Sequence, residues 1–133
     1  MPRDRLLRVL AVLSLGIAVL HIGAIVFHLY WFFWWYDMFL HLLGGVFIAL
    51  LVLWVRFFSV YIKKPAIFSV RRVFLFTLLG LLVIGIGWEV FERLLGPTWS
   101  VEGYWLDTSI DIAFDIVGGV VGWFYFVKKY HRK

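Results

Sequence analysis

The sequence predicts an all-α membrane protein, a four transmembrane helix bundle with both termini cytoplasmic. Three observations carry that expectation. The first is composition: 64% of the 133 residues are hydrophobic and 21% aromatic, more apolar side chain than a soluble domain of this size can bury. The second is length. Apolar runs at about residues 6–30, 38–61, 73–94 and 107–127 each approach the roughly 20 residues that cross a bilayer as a helix. The third is charge. Twelve of the thirteen Lys and Arg residues fall at Arg3, Arg5, Arg8, at Arg56, Lys63, Lys64, Arg71, Arg72, and at Lys128, Lys129, Arg132, Lys133. The positive-inside rule puts all three clusters in the cytoplasm and the 31–36 and 95–106 loops outside. The chain is thus a single domain of the plasma membrane. Its net charge of +5 reads as topology and anionic-lipid contact, with no nucleic-acid partner.

The first span follows Arg3, Arg5 and Arg8 but runs past Trp31 without a small-x-small cleavage site, so it is expected to be a retained helix. Ala11, Ser14, Ala18, His21, Ala24 and His28 recur at steps of three or four, a stripe of about 140°. Small residues let helices approach closely in lipid, so this is the expected packing face, with both histidines turned into the bundle. The turn that follows, Tyr30 to Tyr36, is aromatic almost throughout. It fits an interfacial belt or a docking surface for a lipid or polyprenyl chain.

The second span opens with Asp37 and His41, one turn apart, with Gly44 and Gly45 on much the same side. Asp37 suits a helix N-cap. An Asp and a His at i, i+4 also present two ligands, or an acid that orients an imidazole. Lys63-Lys64-Pro65 ends this span. The third span carries Glu89 and Glu92, neighbours at i, i+3, with Gly85 one turn deeper. Arg93 beside them can neutralise a glutamate or reach a headgroup phosphate. The loop through Glu102, rich in turn residues and aromatics, is long enough to cover a site between the helices.

The fourth span holds Asp107, Asp111 and Asp115, then Gly118, Gly119 and Gly122. The three acids spread over only about 80° of circumference and about 12 Å of axis. Asp107 can serve as an N-cap, but Asp111 and Asp115 lie too deep for that role. Acids within a membrane span are functional-site candidates.

Pooled, Asp37, Glu89, Glu92, Asp107, Asp111 and Asp115 with His21, His28 and His41 gather at the outer ends of the spans. So many carboxylates cannot all stay ionised in a low-dielectric pocket unless a cation enters or protons stay on. With no cysteine in the chain, any metal site must use oxygen and imidazole. Such a set suits Mg²⁺, Mn²⁺ or Ca²⁺, or Zn²⁺ through the histidines. Asp37, His41, Glu89, Glu92 and Asp111 are the candidate metal ligands, and Asp115 or His28 the candidate general base. The chemistry that follows is metal-dependent hydrolysis or transfer on a membrane lipid or a lipid-linked envelope intermediate. Two other readings stand beside it: a structural polar network that fixes helix packing, and a proton or cation path. A homodimer is compatible with so small a bundle.

Tyr36-Asp37-x-x-x-His41-x-x-Gly44, Trp88-Glu89-x-x-Glu92 and Asp107-x-x-x-Asp111-x-x-x-Asp115-x-x-Gly118 resemble the polar signature of the VanZ-like and YjdF-like small integral membrane proteins. The resemblance spans the second to fourth helices and implies a multi-pass plasma-membrane protein. For the VanZ-like group it also implies an association with lowered susceptibility to the glycopeptide teicoplanin. It marks Asp37, His41, Glu89, Glu92, Asp111 and Gly118 as the residues that matter. The VanZ-like pattern implies Asn where this chain has Asp115, and the substitution adds an ionisable group.

Overall fold

A computed structural model describes residues 2–59, 62, 69–95 and 103–130. The expectations that concern Lys63, Lys64, Pro65, Glu102, Arg132 and Lys133 lie outside the described residues. The elements are α1 (Pro2–Val26), α2 (Leu29–Phe32), α3 (Tyr36–Phe58), α4 (Val70–Leu95) and α5 (Tyr104–Tyr130). Among the described residues there is no strand, and α1, α3, α4 and α5 are each long and apolar enough to cross a membrane. The protein is a four-helix membrane bundle.

The centre of the bundle is the pair α3 and α5, which make the most extensive contact; α4 rests against both, and α1 lies along α3. Glycine sets how near α3 and α5 come. A Cβ at Gly45 would overlap the carbonyl of Asp115, and one at Gly118 the carbonyl of Leu42. One at Gly122 would meet Val46 O at 2.9 Å and Ala49 Cβ at 3.0 Å. Backbone therefore lies on backbone along a full two turns, as small residues allow in lipid. Because α3 positions 42, 46 and 49 meet α5 positions 118 and 122 in ascending order, and Phe57 meets Phe126 beyond them, the two helices run parallel.

α4 contributes Val73, Thr77, Leu81, Gly85 and Glu89, all buried at a strict spacing of four. Thr77 lies within the apolar part of this stripe because its hydroxyl donates to Val73 O at 2.8 Å, leaving no polar hydrogen unpaired. Leu6, Leu10, Leu50, Leu53, Val73 and Phe126 form a hydrocarbon core at one end. The described basic residues of α1, α3, α4 and α5 other than Arg93 cluster at that same end, and the acids of α3, α4 and α5, with Arg93, at the other.

Two expectations need correction. α1 buries Leu6, Leu10 and Ala24, whereas Ala11, Ser14 and Ala18 of the supposed packing stripe are exposed. The close contact of backbone on backbone lies between α3 and α5, and not along α1. α1 instead places Leu6 and Leu10 in one apolar cluster with Leu50 and Leu53 of α3, where large side chains supply the dispersion contact. The first span also ends earlier than position 30. His28 takes a left-handed conformation, φ 55° and ψ 34°, and breaks the chain into α1 and the single-turn α2.

Gly45→Ala and Gly118→Ala should each lower the thermal stability of the detergent-solubilised protein by about 1–3 kcal/mol, the range for overpacking, because the overlapped atoms are backbone and cannot swing away. Gly16→Ala on α1, with no atom within 4 Å of its Cβ, should be neutral or slightly stabilising. Melting curves of the three variants side by side check this.

Candidate metal centre

Each acid arrives at the site on a regular helix face. On α3, Asp37 lies in the first turn, where a carboxylate also complements the helix dipole. The helix begins one residue earlier, after Trp35, so Asp37 is not its N-cap. His41 follows one turn below and is 7% exposed. On α5, the helix starts at Tyr104, and Asp107 already donates its backbone N–H to Gly103 O at 3.0 Å. Asp107 is thus a first-turn residue with an exposed side chain, and Asp111 and Asp115, 3% and 5% exposed, are the buried pair.

His41 is the hub. Its Nε2 stands 3.9 Å from Asp111 Oδ2 and its Nδ1 3.4 Å from Asp115 Oδ1. The ring therefore joins α3 to α5 through both nitrogens. Two sets of ligand atoms converge on it: Asp37, His41 and Asp111 lie within 4.8 Å of one another, as do His41, Glu89 and Glu92. All five expected metal ligands thus belong to groups that share one imidazole. Asp115 lies just below them, with Oδ1 facing Gly44 and Oδ2 facing Gly85. A Cβ at Gly85 would meet Oδ2 at 2.9 Å and crowd that carboxylate, whereas one at Gly44 would lie 3.7 Å from Oδ1, in ordinary contact, so the glycine of α4 makes its room.

Glu89 is 5% exposed, and its Oε1 is buried without a hydrogen-bond partner. The neighbour placed to donate to it is Thr108 on α5, yet Thr108 Oγ1 is also buried without completing a hydrogen bond. A buried carboxylate oxygen left unpaired is costly. Arg93 does not offset it: its guanidinium lies 4.6 Å from the centroid of the Tyr104 ring, and Arg93 is exposed. An aromatic face is thus a partner of Arg93 that neither sequence alternative named.

His28 is exposed at the α1–α2 turn, and neither metal-competent group among the described residues includes it. His21 is half-buried, and its Nδ1 lies 2.6 Å from the Tyr30 hydroxyl. Sequence reasoning missed Tyr30 and Thr108. Tyr30 comes near His21 only because the chain reverses at His28, and no glycine or proline marks that reversal. Thr108 carried no signal beyond its place one residue after Asp107.

Neither curated proteins nor solved structures provide a match to this chain. Comparison with protein families does, over residues 2–133. The likeness to VanZ-like and YjdF-like proteins is not what this match shows; the chain belongs to the family described as "Predicted membrane protein (DUF2238)".

Proposed function

We propose that Asp37, His41, Glu89, Glu92 and Asp111 bind a divalent cation, and that the protein uses it to act on or recognise a lipid or lipid-linked envelope component. The observation that carries this reading is the unpaired, buried Oε1 of Glu89, set against His41 and Glu92 within 4.8 Å. A cation supplies the partner this oxygen lacks. Helical bundles build such sites by pooling pairs from facing helices, and Asp-x-x-x-His with Glu-x-x-Glu is a pooling of that kind.

Oxygen-rich coordination favours Mg²⁺, Mn²⁺ or Ca²⁺, while His41 also admits Zn²⁺. Asp115 is the better supported of the two general-base candidates. Its Oδ1 faces His41 Nδ1, so it would orient the ring and leave Nε2, on the Asp111 side, for the cation. A bound cation at this depth would polarise a phosphoryl group or activate water. Transport is the weaker reading, because the bundle beyond the acids is closed by Leu6, Leu10, Leu50, Leu53, Val73 and Phe126, with no continuing ionisable series.

Placing the acids at the outer face, with both termini cytoplasmic, follows from the basic residues at the opposite end. Exposed Trp31, Trp34, Trp35 and Trp105 around the acid end support a headgroup-level site, since tryptophan favours the membrane interface. The VanZ-like resemblance supports an envelope substrate and a part in glycopeptide susceptibility.

After chelation and repletion with Mg²⁺, Mn²⁺, Ca²⁺ or Zn²⁺, elemental analysis of the detergent-purified protein should find one metal at a fixed ratio. Glu89→Ala and Asp111→Ala should lose it while still eluting as folded protein. Asp115→Asn should bind it about 10–100-fold more weakly, as expected when the group that orients a metal-bound histidine is altered. No metal above background, or unchanged binding in both alanine variants, overturns the reading. A purely structural network would instead show as lost thermal stability in the alanine variants with no metal-dependent change in the wild type.

A further inference from the structure

The left-handed turn at His28 folds α2 against the end of α1 and creates a second polar pair next to the acids. Tyr30 Oη lies 2.6 Å from His21 Nδ1, and the two rings meet edge to face with centroids 5.9 Å apart. Tyr36 packs against Tyr30 in the same way at 5.8 Å and donates its hydroxyl to Leu20 O at 3.1 Å. The pair is thereby held from two sides, on elements that no expected metal ligand occupies.

Tyr30 lies close enough to Asp37 and Glu92 to feel both charges. Burial first, then those carboxylates, push its phenol above its ordinary range. It therefore stays a hydrogen-bond donor at physiological pH. Counting hydrogens shows what the pair can offer. A neutral His21 and Tyr30 carry one N–H and one O–H between them. Their mutual bond consumes one. Whichever tautomer His21 adopts, one donor is left for an acceptor outside the pair.

A pooled cation and a nearby spare donor are complementary parts of one kind of site. Hard divalent cations held by carboxylates commonly complete their shell with phosphate oxygens, and a tyrosine or histidine donor can hold another oxygen of the same group. Without the cation, the acids would repel such an anion. At the aromatic, headgroup-level end of the bundle, the phosphate would be one carried by a lipid. We propose that His21 and Tyr30 form the second arm of the site and hold a lipid-borne phosphate whose other oxygens the cation takes. This rests on the cation reading and adds the substrate class to it.

Calorimetric titration of the full-length, Mn²⁺-loaded protein in maltoside detergent with dodecyl phosphate tests it, with inorganic phosphate as a parallel arm. Tyr30→Phe and His21→Ala should each weaken dodecyl phosphate binding about tenfold or more, the effect of losing one hydrogen bond to a charged group. Mn²⁺ affinity should not change. Tyr36→Phe, which removes the hydrogen bond to Leu20 O but keeps the ring that packs on Tyr30, should bind dodecyl phosphate as the wild type does.

Equal losses in Tyr30→Phe and Tyr36→Phe would mean that the pair only braces the turn, and overturn the inference. So would unchanged dodecyl phosphate binding in Tyr30→Phe with Mn²⁺ still bound. Inorganic phosphate binding as tightly as dodecyl phosphate would overturn the lipid source. Failure of the wild type to bind Mn²⁺ overturns the cation reading, and this inference with it; that outcome is distinguishable because it precedes any phosphate titration.

Discussion

Backbone contact between α3 and α5 is the constraint on which the rest of the structure depends. Lipid gives helices no hydrophobic reason to associate, so close van der Waals fit must supply the attraction. Gly45, Gly118 and Gly122 supply it by letting one backbone approach the other along the seam. The seam also fixes where the polar groups go. Asp115 puts its carbonyl against Gly45 and its carboxylate between Gly44 and Gly85. The residue that completes the tight crossing is therefore the same one that reaches His41 and touches α4. A shift of the seam by one helical turn would uncouple all three contacts.

From that anchor the site assembles by helix periodicity alone. One turn up from Asp115 is Asp111, and the His41 ring lies between them at 3.4 and 3.9 Å. One turn up from Gly85 is Glu89. Exposure of only 3–7% for His41, Glu89, Asp111 and Asp115 leaves little water to screen these charges, so like-charge repulsion is strong. Desolvation makes the arrangement expensive unless something offsets it. Thr77 shows the cheaper solution on the same α4 face, a hydroxyl satisfied by its own helix. Glu89 has no such recourse, which is why its unpaired oxygen weighs more than the number of acids around it.

Much of this was legible in the sequence, for a definite reason. Helical periodicity converts spacing into azimuth, so Asp107, Asp111 and Asp115, or Glu89 and Gly85, declare a shared face without tertiary information. The charge asymmetry along the chain likewise declared which ends of the helices belong together. Three features were not legible. The packing face of α1 depended on which neighbour it meets, and Leu6 and Leu10 won over Ala11, Ser14 and Ala18 because α3 offered large side chains. Arg93 meets the Tyr104 ring eleven positions further along the sequence, a contact that no local pattern encodes. The α1–α2 break was hidden because His28 takes a conformation usually marked by glycine.

That break has its own energetic logic. A left-handed conformation at a residue with a Cβ costs on the order of 1 kcal/mol or more, and it persists only where the surroundings over-determine it. Here they do so through the His21–Tyr30 contact, the Tyr36 hydrogen bond to Leu20 O and the edge-to-face stacking of three rings. A straight continuation of α1 would carry Tyr30 away from His21 along the helix axis, and Asp37 and Glu92 would lose their aromatic neighbour. The strain at His28 thus stands against contacts that exist only if the chain reverses there. The polar rim beside the acids is the product of that exchange, whereas the acids themselves are placed by the glycine seam. Two independent local devices, one of close packing and one of backbone strain, converge on the same end of the bundle.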